Sequence, residues 1–71
     1  MDINLILGYA ECNNIRLYHC LCNYKEEFKV INITKDDIDY FKNYDNVNES
    51  VYKDFLYLID YISKNYKRVI K

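Results

Sequence analysis

Cys12, His19, Cys20 and Cys22 are the side chains best suited to hold a metal or build a nucleophile. A structural zinc site wants four ligands converging tetrahedrally, usually paired two to four residues apart around a tight loop. His19 and Cys20 are adjacent, so on an extended segment they point to opposite faces, and Cys20 and Cys22 follow a C-x-C spacing without a knuckle. Nucleophilic catalysis needs a cysteine beside a histidine, a third group to orient them and a place for an oxyanion. One His, one Gly and no glycine-rich loop supply neither that arrangement nor a phosphate cradle. Asp36, Asp37 and Asp39 read as acids in the first turn of a helix rather than as metal carboxylates. The expectation is a protein that is not an enzyme, holds no metal or cofactor, and packs Cys20 and Cys22 in its core as small apolar residues.

Binding is better served. Tyr57, Tyr61, Lys64 and Arg68 recur at i, i+4, i+7 and i+11, one stripe of a helix. Tyrosine with arginine is a composition that interfaces favour, because Tyr offers large contact area at low entropic cost. The same stripe could stack on bases while its cations meet phosphates, which makes a small nucleic-acid-binding regulator the alternative reading. Lys64, Lys67, Arg68 and Lys71 also stand at a negative helix end, where cations are stabilising without any ligand. Seven acids lie between Asp36 and Asp60 with only Lys42 and Lys53 among them, a surface that would meet a basic groove or simply face water.

The elements that must position these groups fit one domain. Seventy-one residues leave no room for a second, and a chain this short has a marginal core unless something supplements it. Hydrophobic residues make up 51% and charged residues 30%, which argues against disorder, and a net charge of −1 gives no field to draw in nucleic acid or an anionic membrane. Asn, Ile and Tyr each occur nine times and Lys eight, while Gly occurs once and Pro never. All four abundant types have A/T-rich codons, so an AT-rich genome such as that of a phage, virus or mobile element is the simplest source of the bias. The opening residues show no signal peptide or membrane span, and three cysteines suit a reducing cytoplasm.

Val51, Phe55, Leu58, Ile59, Ile62, Tyr66 and Val69 repeat at three- and four-residue steps, predicting a C-terminal helix over 51–70 of about five turns. Thr34 with Asp37 predicts a capped helix from Lys35 to about Asn43, with Ile38 and Phe41 facing inward. Residues 3–12, 15–24 and 28–33 read as strands, joined by a turn at Asn13-Asn14 and another near Lys25-Glu26. The predicted fold is α+β, a three-stranded antiparallel meander followed by a short and a long helix packed on one sheet face (βββαα). Alternation then places Ile3, Leu5, Leu7, Tyr9, Tyr18, Cys20, Cys22, Tyr24, Ile31 and Ile33 under the helices. The opposite face carries Ile6, Leu17, Leu21, Phe28 and Val30, with His19 among them, and has no lid. Such a patch predicts an interface, most simply between two copies of the chain, or with a host protein.

In build alone the chain resembles the small accessory proteins of phages and viruses that block a host factor by binding it, anti-CRISPR proteins among them. That likeness is one of size and composition. It implies an inhibitor or adaptor that binds protein in the cytoplasm of a bacterium or an infected cell, and it assigns no site.

Overall fold

The computed structural model describes residues 1–26 and 32–66. Its elements are four helices: α1 (Ile3–Asn13), α2 (Ile15–Asn23), α3 (Lys35–Phe41) and α4 (Glu49–Asn65). Among the described residues there is no strand, and extended pairing is confined to an isolated bridge at Ile33. The α+β meander is therefore overturned: its first two strands are helices. Most of the third predicted strand, Phe28 and Val30 included, lies outside the described residues.

Local chemistry accounts for the change. The Asp2 carboxylate accepts the backbone N–H groups of Asn4 and Leu5 at 3.1 and 3.3 Å, satisfying two of the donors that a helix start leaves open. Asn14 does not turn a hairpin. Its backbone is extended (φ −154°), its N–H closes α1 on the Ala10 carbonyl at 2.7 Å, and its side chain accepts the Leu17 N–H at 3.1 Å to open α2. One residue thus ends one helix and caps the next.

Once the segments are helical the buried set follows a helical period. Ile6 and Ala10 point inward from α1, and Leu17, Cys20 and Leu21 from α2, with Tyr24 just beyond. The expected faces are not kept: Ile6, Leu17 and Leu21, placed on the open face, form core and Leu5 and Cys22 face solvent, while Cys20, Tyr24 and Ile33 are buried as expected. The dimer expected over an open sheet face has no sheet to form on.

The two C-terminal helices form over the predicted segments with different bounds: α3 ends at Phe41, α4 begins at Glu49 and ends at Asn65 with Tyr66 as its cap, and the rest of the predicted 51–70 helix, Val69 included, lies outside the described residues. Thr34 and Asp37 make a reciprocal capping box, and Phe41 is wholly buried with Ile38 packed against the core. Asn46 takes a positive φ of 65° in the connection, a conformation that Asn tolerates, and Asn48 caps α4 by accepting the Val51 N–H at 2.9 Å. Val51, Phe55, Leu58, Ile59 and Ile62 are buried as their spacing requires. Phe41 and Phe55 stack with centroids 3.9 Å apart and planes 3° from parallel at the centre of the core. Among the described residues, no helix is long and apolar enough to cross a membrane.

Candidate functional site

The residues predicted to form a binding face divide into three groups. Ile6, Leu17 and Leu21 are brought together, but in the interior, where no partner reaches them. His19 is exposed on α2, its ring 5.5 Å from that of Tyr18. Phe28, Val30 and Arg68 lie outside the described residues, as do Lys67 and Lys71. Tyr57 and Tyr61 do face solvent, and Tyr57 is 68% exposed. Lys64 beside them pairs with Asp60 at 2.9 Å across exposed side chains.

The cysteines part company. Cys20 is buried, its thiol 3.6 Å from the Asn32 carbonyl, whereas Cys22 is exposed and not in the core as the alternation required. Burial pushes the Cys20 thiol pKa up, away from nucleophilic character. No group of three or more His, Cys, Asp or Glu side chains comes together among the described residues in a way that could hold a metal ion.

Asp37 was expected on a solvated helix face, yet it is only 4% exposed. Its Oδ2 accepts the Thr34 N–H at 2.8 Å and the Thr34 hydroxyl at 3.0 Å. Its Oδ1 accepts the Asn14 amide at 2.9 Å and one arm of the Arg16 guanidinium. The other arm of Arg16 donates to the Asn32 carbonyl at 2.7 Å. Burial alone would raise the Asp37 pKa, but the bonds from Thr34, Arg16 and Asn14 outweigh it and hold the carboxyl below its ordinary range. Each carboxylate oxygen already has two donors, so no acceptor is left for a substrate and the carboxyl stays ionised at neutral pH. This is a clamp between the starts of α2 and α3.

Another exposed apolar surface, besides that of Tyr57 and Tyr61, is the outer side of α1 with its two ends. Met1 is 60% exposed, Leu5 45% and Ile15 56%, and Gly8 and Cys12 lie between them in the open. Within α1, Leu5, Gly8 and Cys12 form a short seam at steps of three and four on one face, with Met1 exposed just before the helix and Ile15 just after it, at the start of α2. Around Gly8 the surface dips into a depression of about 370 Å³ lined by Asn4, Leu5, Gly8, Tyr9 and Cys12. Residues 5, 8, 9 and 12 are related as i, i+3, i+4 and i+7, the four corners of a hole that receives one side chain from a facing helix. The hole is held in shape, because the Tyr9 hydroxyl donates to the Asn46 carbonyl at 2.8 Å and ties its rim to the α3–α4 connection. None of its lining residues is charged. The charges sit on the flanks, at Asp2 and Glu11, and both are exposed acids.

A second depression, about 480 Å³, lies beside α4 and is lined by Lys42, Val47, Asn48, Glu49, Tyr52, Lys53 and Leu56. Its cations are already engaged: Lys53 pairs with Glu49 at 3.5 Å, and Lys42 lies over the Tyr52 ring at 5.7 Å. The seam on α1 was missed from the sequence because residues 3–12 were assigned a period of two. The available signal was that this segment holds apolar residues on more than one side of a helix, with only Asn4 and Glu11 polar among residues 3–12. Comparison with protein-family models, with characterised proteins and with solved structures found no match.

Proposed function

We propose that the chain is a small, non-enzymatic protein-binding module, an inhibitor or adaptor, that docks another protein through the outer face of α1. The observation that carries this reading is the seam itself. A surface helix in a small domain ordinarily turns a polar face to water, and α1 exposes Leu5, Gly8 and Cys12 beside Asn4 and Glu11, with Met1 and Ile15 exposed just beyond its two ends. Gly8 adds weight. It is the chain's single glycine, it sits mid-helix, and a Cβ built there would meet nothing within 4 Å. Glycine at such a position costs roughly 0.5–1 kcal/mol relative to alanine with no internal packing reason for it. A partner's close approach supplies a reason. The A/T-rich composition is consistent with a phage, virus or mobile element as source, with a host protein in the cytoplasm as partner.

The test is retention of protein from lysate of the cells in which the gene is expressed, on immobilised wild type, Leu5→Glu and the pair Tyr57→Ala/Tyr61→Ala. Leu5→Glu should lose the retained protein with its helical circular dichroism intact, and the tyrosine pair should keep it. The opposite pattern would move the binding face to α4. In that event, an electrophoretic shift with mixed RNA and DNA at low and moderate salt would ask whether the ligand is nucleic acid.

A further inference from the structure

We infer that the occupant of the α1 seam is an amphipathic helix of another protein, with one aliphatic side chain seated over Gly8 and Lys or Arg residues flanking it. This rests on the docking face proposed above and names its partner's chemistry. The depression at Leu5, Gly8, Tyr9 and Cys12 has no charged lining residue, so an aliphatic group enters it at less cost than a charged one. Its floor is glycine with open space above, which lets a facing backbone approach more closely than any other residue would. Its rim is anchored by the Tyr9 to Asn46 bond, so little ordering is lost on binding.

The flanking charges decide between a second copy and a foreign helix. Asp2, the N-cap of α1, and Glu11, next to Cys12, stand exposed towards the two ends of the helix, where charges beside a helix contact choose the partner. Two copies of α1 run antiparallel, with Leu5 of each over Gly8 of the other, would set Asp2 against Glu11 at both ends. Two parallel copies would set each acid against its own equivalent. Either arrangement brings like charges together, which works against pairing. The like charges disfavour a self-contact and favour a basic-flanked helix, whose charges complete the rim and speed encounter.

The probe is a short capped helical peptide with a central Leu and Lys one turn to either side, followed by fluorescence anisotropy against the whole chain. Its controls carry Glu in place of the Lys residues, or Ala in place of the Leu. The Lys-flanked Leu peptide should bind saturably, and each control should bind about tenfold more weakly or worse. Raised salt should weaken the Lys peptide and leave the residual binding of the Glu peptide unweakened. Gly8→Leu, which fills the hole from the chain's own side into open space, should abolish binding with circular dichroism unchanged. Equal binding of the Lys and Glu peptides would overturn the inference. So would a chain that sediments as a dimer at high concentration while ignoring all three peptides. If no peptide binds but Leu5→Glu still loses the lysate partner, the docking face stands and the basic helix falls. If Leu5→Glu keeps that partner, both fall.

Discussion

Replacing Asp37 by asparagine isolates the clamp between α2 and α3, because volume and shape are kept and only the charge and one acceptor change. In the native chain each carboxylate oxygen takes two donors, Asn14 and Arg16 on Oδ1 and both Thr34 groups on Oδ2. An asparagine amide has one oxygen and one NH₂, so whichever way it is turned, two donors meet a donor. A hydrogen bond contributes about 0.5–1.5 kcal/mol net, and a donor left facing a donor away from water costs more. Arg16 is half-exposed and water can replace part of its loss, which pulls the total down. The expected cost is about 2–3 kcal/mol, against a total near 4–11 kcal/mol for a domain of this length. In thermal unfolding followed by far-UV circular dichroism, that is a fall of roughly 10–20 °C. The exposed acids Asp36 and Asp39, changed the same way, should stay within about 0.5 kcal/mol of wild type. The pH dependence has a definite sign. The folded carboxyl has a depressed pKa, so its contribution is present above the unfolded value and is lost as pH falls through the folded one. The gap between wild type and Asp37→Asn should therefore narrow at the acid end. A variant as stable as wild type at neutral pH, or a gap that stays constant into acid, would refute the clamp.

Phe55→Ala should cost about 3–5 kcal/mol in denaturant unfolding, since Phe55 is wholly buried and stacks on Phe41. A loss under about 1 kcal/mol would mean the stack is not at the centre of the core. A bulky maleimide should label Cys12 and Cys22 rapidly in the native state and Cys20 only on unfolding, as mass spectrometry over time would show. Native labelling of all three at one rate would contradict the packing of α2. Gly8→Ala should raise stability by about 0.5–1 kcal/mol, because the added methyl meets nothing and alanine is the better helix former. A lowered melting point would show that Gly8 serves the fold after all.

How much of this was legible depended on how many periods a segment could satisfy. In α4 the apolar residues fit three- and four-residue steps over four turns and no alternation, so helix and core face were both readable. The start of α3 was readable because Thr34 and Asp37 carry a local signature with a local mechanism. Residues 15–24 fit two templates equally well. Tyr18, Cys20, Cys22 and Tyr24 alternate, while Leu17, Cys20, Leu21 and Tyr24 follow i, i+3, i+4 and i+7, and the second set is the buried one. The scarcity of β-branched residues, Ile15 alone in that stretch, was the signal that favoured helix. Asn13-Asn14 misled for a related reason. Asparagine suits a hairpin turn and a helix cap for the same chemistry, a short side chain that bonds nearby backbone.

The clamp at Asp37 and the seam on α1 were hidden by different things. Asp37 finds Asn14 and Arg16 at separations of 23 and 21 residues, and no pattern within a segment encodes a pairing across that distance. The seam was hidden by the property that the proposed docking uses. A segment apolar on both sides matches strand and helix alike, since either period finds apolar residues wherever it falls. Had evolution placed polar residues at positions 5, 8 and 12, the helical period of Ile6 and Ala10 would have stood out and α1 would have been plain. Those positions are instead Leu5, Gly8 and Cys12, exposed and uncharged, in a chain that spends its only glycine among them. The ambiguity of the sequence and the open face of the fold have one cause, so a partner on α1 would explain both.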